Sequence, residues 1–124
     1  MTIAFWAILV AALLPVASAT LAKAGGQSYD NAAPRAWLAV QSGWRLRADW
    51  AQRNHLEAFP PFAAAVLVAA IAGAPQRTAD ALAVLFVVLR IAYTAAYVLD
   101  RATLRSALWT LGFLCVLGLF VIAA

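Results

Sequence analysis

Three otherwise apolar segments of this chain carry polar and charged side chains at helical spacing. On the first, Arg47, Trp50, Asn54 and Glu57 follow one another at intervals of three, four and three residues, so they share one face of a helix. Arg53 lies four residues before Glu57, and this spacing predicts an ion pair between the two. Guanidinium, carboxamide and carboxylate groups on neighbouring stripes suit the recognition of a small, polar, anionic ligand.

A second segment places Arg90, Tyr93 and Tyr97 on one helical face, three and four residues apart. Arg90 lies ten residues before Asp100, so its backbone would be about 15 Å deep in a membrane. A charge at that depth is costly and needs a partner. Glu57 is the best-placed acid, and the sequence predicts a Glu57–Arg90 ion pair. Such a pair could belong to a ligand site or could only fix the register of two helices.

The third segment opens with Arg105 and Ser106, at the same membrane level as Asn54. An arginine or a hydroxyl beside a bound thiol lowers the thiol pKa and makes the nucleophilic thiolate available near neutral pH. The single cysteine, Cys115, lies in an apolar run, so the thiol would belong to the ligand, and lipid could deliver an apolar electrophile. One cysteine and one histidine cannot build a metal site, and we interpret His55 as an interfacial polar residue.

The composition restricts the class of protein that presents these side chains. Hydrophobic residues make up 66% of the 124 residues and charged residues only 11%, which excludes an ordinary soluble domain and a disordered chain. A membrane-spanning helix needs about 20 apolar residues, so four spans use most of the chain. The net charge of +4 comes from basic residues scattered among helix ends, which favours membrane orientation over nucleic-acid binding.

The apolar runs predict four helices, at residues 3–21, 37–73, 79–99 and 104–123. Their short connections indicate antiparallel neighbours. The predicted fold class is therefore an all-α integral membrane protein, with a single domain that forms an up-down bundle of four transmembrane helices over residues 1–124. Pro60 and Pro61 remove two N–H groups from the second helix and predict a kink there.

Basic residues are distributed unequally between the two sides of the predicted spans. Arg77 alone follows the second helix, whereas the other side carries seven basic residues: Lys23, Arg35, Arg45, Arg47, Arg53, Arg101 and Arg105. The positive-inside rule then places both termini on the non-cytoplasmic side. Arg35, Arg45 and Arg47 are interpreted as contacts to lipid headgroups.

These motifs resemble those of the MAPEG family, the membrane-associated proteins of eicosanoid and glutathione metabolism. In the second helix, the similarity rests on Arg47-Ala48, Ala51-Gln52, Asn54, Glu57 and Phe59-Pro60-x-Phe62. It continues, in the family's order, with Arg90-x-x-Tyr93-x-x-x-Tyr97 and with Arg105-Ser106. Together with the layout of four spans, the resemblance extends over nearly the whole chain.

The resemblance implies a homotrimer that holds glutathione between neighbouring subunits on the cytoplasmic side. It also implies that Arg105 activates the thiol, and that the residues binding glutathione are Arg53, Asn54, Glu57, Arg90, Tyr93, Tyr97 and Ser106. Two positions differ from the family. Trp50 stands where members commonly carry an arginine, and Trp109 stands where some carry a tyrosine.

We therefore expect a membrane protein of bacterial inner-membrane type that uses glutathione as a co-substrate. As a transferase or peroxidase it would act on hydrophobic electrophiles or lipid hydroperoxides, with its own copies, lipid and the substrate as partners and no nucleic acid. Because the family includes members that catalyse nothing, a non-catalytic lipid-binding or scaffolding trimer is the alternative. A small multidrug exporter is expected to carry an acid in the first helix, and residues 3–21 contain none.

Overall fold

The computed structural model describes all 124 residues, which form five helices and no strand. The helices are α1 (Ile3–Lys23), α2 (Pro34–Ala39), α3 (Gly43–Ile71), α4 (Gln76–Val98) and α5 (Ala102–Val121). All except the short α2 are long and apolar enough to cross a membrane. The prediction of an all-helical chain with four candidate spans is confirmed.

The helix predicted over residues 37–73 is interrupted, so the expectation of one continuous helix there is wrong. The chain leaves the helical conformation after Ala39, and Gly43 begins α3 with a φ of +60°. This left-handed conformation is accessible to glycine and costly for residues with a Cβ atom. Downstream, α3 continues through Pro60 and Pro61 without a break in the helix.

α3 and α4 run antiparallel, because their contacts pair the start of one helix with the end of the other. Arg47 near the start of α3 contacts Val98 at the end of α4, whereas Phe62 stacks on Phe86, with ring centroids 3.9 Å apart, farther along. α4 packs against α1, α3 and α5. α3 likewise packs against α1, α4 and α5, so α3 and α4 together form the centre of the bundle.

Small side chains form most of the core around the Phe62–Phe86 pair. Alanines supply most of the buried positions of α1, and the largest fully buried side chains are those of Phe62, Leu119 and Val66. Small residues let helix backbones approach closely, which matters in a bilayer because lipid tails are as apolar as the helix surface. Close packing of this kind fixes where the polar side chains of α3, α4 and α5 lie.

Arginines bind the helix ends at one end of the bundle. Arg45 Nη1 donates to the carbonyls of Ala22 and Ala24, at 2.7 and 2.9 Å, where α1 ends. Arg47 donates from Nε and Nη2 to the carbonyl of Val98, at 3.1 and 2.9 Å, where α4 ends. The last carbonyls of a helix lack intrahelical donors, so these bonds are stabilising. Both arginines therefore have partners within the protein, contrary to their interpretation as headgroup contacts.

We name this end the basic end: α1 and α4 end here, and α3 and α5 begin here. We predict that Arg47→Met lowers the free energy of unfolding by about 1–3 kcal/mol, because two charge-assisted hydrogen bonds to Val98 are lost. Circular dichroism of the detergent-solubilised protein during heating measures the effect. Arg101→Met, at an exposed position of the same end, is the matched control and should change it by less than about 0.5 kcal/mol. Equal losses in the two variants would contradict this account.

Candidate functional site

The three polar segments meet near the basic end. α3, α4 and α5 together line a cavity of about 330 Å³, which we name the outer cavity; its residues are Asn54, Tyr93, Tyr97, Arg105, Ser106, Trp109 and Thr110. Five of these were predicted as site residues from the sequence, on three different helices. Their convergence is a consequence of the antiparallel packing of α4 with its neighbours.

A second, smaller cavity adjoins the first. This inner cavity has a volume of about 170 Å³, and ten residues line it: Asn54, Glu57, Ala58, Pro61, Phe86, Arg90, Trp109, Gly112, Phe113 and Val116. Asn54 and Trp109 border both cavities. The outer cavity is thus lined mainly by hydroxyl, amide and guanidinium groups, whereas the inner one combines a polar group of three residues with an apolar remainder.

Arg90 is buried beside the inner cavity, with only 2% of its surface exposed. Its Nη2 donates to Asn54 Oδ1 at 2.9 Å and its Nε donates to His55 Nδ1 at 3.2 Å, while the guanidinium carbon lies 4.1 Å from the centroid of the Tyr93 ring. These groups solvate the cation with dipoles and an aromatic face, but none of them is a carboxylate. The predicted Glu57–Arg90 ion pair is not formed.

Asn54 separates the acid from the arginine. Its Nδ2 donates to Glu57 Oε2 at 3.4 Å, while its Oδ1 accepts from Arg90. A carboxamide can serve both partners because it carries a donor and an acceptor. The carboxylate of Glu57 is exposed and is held one side chain away from Arg90. The charge of Arg90 is therefore not neutralised by direct contact.

Arg53 lies outside both cavities and has a different partner from the predicted one. Its Nη2 and Nε contact Asp49 Oδ2 at 3.1 and 3.2 Å. Asp49 and Glu57 lie four residues before and after Arg53, so both spacings allow a helical pair. Asp49 is buried and Glu57 is exposed, and a buried carboxylate depends more on a partner. The predicted Arg53–Glu57 pair is therefore wrong, and 59% of the Arg53 side chain is exposed.

Arg105 is positioned by the tyrosines of α4. Its guanidinium carbon lies 4.5 Å from the centroid of the Tyr97 ring, and Tyr97 contacts Tyr93 edge to face at 5.5 Å. Ser106 follows directly, and its carbonyl accepts a hydrogen bond from Thr110 Oγ1 at 3.0 Å. Like Arg90, Arg105 forms no salt bridge. Two guanidinium groups without carboxylate partners thus border adjoining cavities, which favours an anionic ligand.

Sequence reasoning missed His55, whose interpretation as an interfacial residue is wrong. The ring is 3% exposed, and its Nε2 lies 2.7 Å from Thr94 Oγ1 on α4. Two spacings signal this position. His55 is seven residues before the buried Phe62, and Thr94 is four residues after Arg90, so each shares a helical face with a buried neighbour. Cys115, by contrast, is buried and lines neither cavity.

Comparison with known protein families gives one result that covers the chain. The model of the MAPEG family matches residues 3–124, which is essentially the whole sequence. No curated protein and no solved structure matches the chain. The family match agrees with the four apolar helices, and together they make this an integral membrane protein. The resemblance seen in the motifs is confirmed: the chain belongs to the MAPEG family.

Proposed function

We propose that this protein binds glutathione in the outer cavity as co-substrate. With glutathione bound there, the protein transfers the glutathione sulfur to hydrophobic electrophiles or reduces lipid hydroperoxides. The observation that carries the proposal is the pair of guanidinium groups, Arg90 and Arg105, that border adjoining cavities without carboxylate partners. Glutathione carries two carboxylates and a thiol that becomes an anion when it reacts. Guanidinium groups are the side chains best suited to such anions.

In this proposal Arg105 stabilises the thiolate, because a neighbouring positive charge favours the ionised form of a thiol. The thiol proton passes to water. In transfer, sulfur forms a bond to the electrophilic carbon and the leaving group departs with its electron pair. In peroxide reduction, sulfur attacks the terminal oxygen, the O–O bond breaks, and the alkoxide leaves and takes a proton from water to become an alcohol. A second glutathione then converts the sulfenic acid to a disulfide and releases water.

The remaining side chains of the cavities hold the polar parts of glutathione. Asn54, Tyr93, Tyr97 and Ser106 supply hydrogen-bonding groups around the outer cavity, and Glu57 supplies a carboxylate that suits the ammonium group of the ligand. Arg53 lines neither cavity, but 59% of its side chain is exposed, so in the trimer it is free to reach the glutathione site of a neighbouring subunit.

The hydrophobic co-substrate would enter the inner cavity. Phe86, Phe113 and Val116 form its apolar part, and Trp109, stacked on Phe113 with ring centroids 5.5 Å apart, stands at the border with the outer cavity. An apolar molecule dissolved in the bilayer is thereby brought next to the thiolate. Proximity of this kind lowers the entropic part of the barrier.

We propose that the protein is a homotrimer, as its family implies. The exposed face of α3 carries Trp50, Arg53 and Glu57 within a segment long enough to span the membrane. Charged groups facing acyl chains are costly, so a second copy covering this face would be strongly favoured. Glutathione would then lie between subunits.

A non-catalytic scaffolding trimer is the second candidate. It is favoured by the fact that both guanidinium groups already have partners within the subunit: the hydrogen bonds of Arg90, and the cation–π contact of Arg105 with Tyr97. In that case the polar cluster fixes helix packing alone. The two candidates differ in whether glutathione binds as a thiolate, which only the catalytic one requires.

We predict that glutathione added to the detergent-purified protein shows the ultraviolet absorbance band of a thiolate at neutral pH. Arg105→Ala should abolish the band and lower the turnover number with a hydrophobic electrophile by about 100-fold, since one transition-state donor is lost. Arg101→Ala is the matched control, because it removes an exposed arginine four residues earlier that lines neither cavity. A band that persists unchanged in Arg105→Ala would refute the assigned role.

Native mass spectrometry should show a trimer that retains glutathione. We predict that Glu57→Gln lowers the collision energy needed to release a subunit, because the exposed carboxylate of α3 contributes to the subunit interface. Asp100→Asn removes a negative charge from an exposed turn at the same end and leaves the protein otherwise alike, since asparagine tolerates the φ of +59° found there. A monomer in both variants and in the unaltered protein would exclude the trimer.

We place both termini on the non-cytoplasmic side of a bacterial inner membrane, with the basic end in the cytoplasm. Alkaline phosphatase fused after Ala124 should therefore be active in bacterial cells, and green fluorescent protein fused at the same site should be dark. The opposite pattern would reverse the orientation.

A further inference from the structure

The hydrogen bonds around His55 determine where its proton lies. Nδ1 is 3.2 Å from Arg90 Nε and 3.0 Å from Arg90 Nη2, and both guanidinium nitrogens can only donate. Nδ1 must therefore carry the lone pair. The proton is then on Nε2, which donates to Thr94 Oγ1 at 2.7 Å.

Thr94 closes the chain of bonds. Its hydroxyl donates to the backbone carbonyl of Arg90, four residues earlier, at 3.1 Å, so its oxygen is free to accept from His55. The bonds thus run from the side chain of Arg90 through the imidazole and the hydroxyl back to the backbone of Arg90. Each donor and each acceptor in this cycle has one consistent assignment.

We infer that His55 is a positioning residue, which holds the Arg90 guanidinium toward the inner cavity while leaving its charge uncompensated. A neutral imidazole offers one lone pair, at Nδ1, which the Nε and Nη2 groups of Arg90 share without cancelling the charge of the guanidinium. A carboxylate at the same place would form an ion pair. The inference rests on the proposed function, because the charge that His55 preserves is one of the two guanidinium charges that we propose attract glutathione.

Two variants of the full-length protein in detergent separate the bonds between His55 and Arg90 from the bond between His55 and Thr94. His55→Asn places an amide oxygen close to the position of Nδ1 and keeps an acceptor for Arg90. His55→Gln places its amide close to the position of Nε2 and keeps only the contact with Thr94. Each variant retains one hydrogen bond, so their thermal unfolding without ligand should be similar.

Calorimetric titration with glutathione is the first readout. We expect His55→Gln to weaken binding by about 10- to 100-fold, as for the loss of a charged hydrogen bond, and His55→Asn to stay within about threefold of the unaltered protein. The ¹H–¹⁵N spectrum of the arginine side chains is the second readout. The Nε–H signal of Arg90, identified by its loss in Arg90→Lys, should be sharp in the unaltered protein and in His55→Asn, and broadened in His55→Gln.

The hydroxyl of Thr94 is tested in the same way. Thr94→Val should weaken glutathione binding by about threefold to tenfold, because the imidazole loses the acceptor that orients it. Thr20→Val is the matched control, since Thr20 Oγ1 makes the equivalent bond to the carbonyl four residues earlier at an exposed site on α1. Glutathione affinity should be unchanged in this control.

The two readouts distinguish failure of the inference from failure of the proposed function. If the unaltered protein binds glutathione but His55→Asn and His55→Gln behave alike in both measurements, His55 does not position Arg90. If no protein binds glutathione but the Arg90 signal still broadens only in His55→Gln, the positioning role stands and the glutathione function is wrong.

Discussion

A guanidinium buried in a membrane helix without a carboxylate partner is the interaction on which the rest of the structure depends. Hydrocarbon cannot solvate a charge, and an arginine at the centre of a helix costs about 2.5–3.5 kcal/mol on insertion scales. Asn54 and His55 of α3 offset this cost by accepting hydrogen bonds from the guanidinium, and the ring of Tyr93 adds a cation–π contact. Because the acceptors and Arg90 lie on different helices, solvating the charge also fixes the register of α3 against α4.

The same arrangement leaves the site with uncompensated positive charge. Glu57 is held one carboxamide away from Arg90, and Arg105 lies on the ring of Tyr97 rather than on an acid. Two positive charges therefore remain at the border between a polar and a largely apolar cavity. At the basic end, Arg45 and Arg47 bind the last carbonyls of α1 and α4. The bond from Arg47 joins the start of α3 to the end of α4, and both of these helices carry the site. The proposed chemistry uses these features together, since it needs an anion and an apolar molecule side by side.

The sequence predicts the elements well and the partners of charged side chains poorly. Hydropathy indicates the four spans because an apolar run in a bilayer must satisfy its own backbone hydrogen bonds, which a helix does. Helical spacing places Tyr93 and Tyr97 on the face that lines the site. Spacing does not reveal how two helices are rotated against each other. It therefore could not predict that Arg90 contacts Asn54 and not Glu57. Hydropathy also gives no sign of the break between Ala39 and Gly43, where α2 ends and a glycine in the left-handed conformation begins α3.

The central claim is that the cavities beside Arg90 and Arg105 receive glutathione, and a cryo-electron-microscopy structure of the protein in lipid nanodiscs at saturating glutathione tests it most directly. The account predicts density for the ligand in the outer cavity, with its sulfur beside the Arg105 guanidinium and one of its carboxylates toward Arg90. Empty cavities, or Asn54, Arg90 and Arg105 turned toward acyl chains, would contradict it.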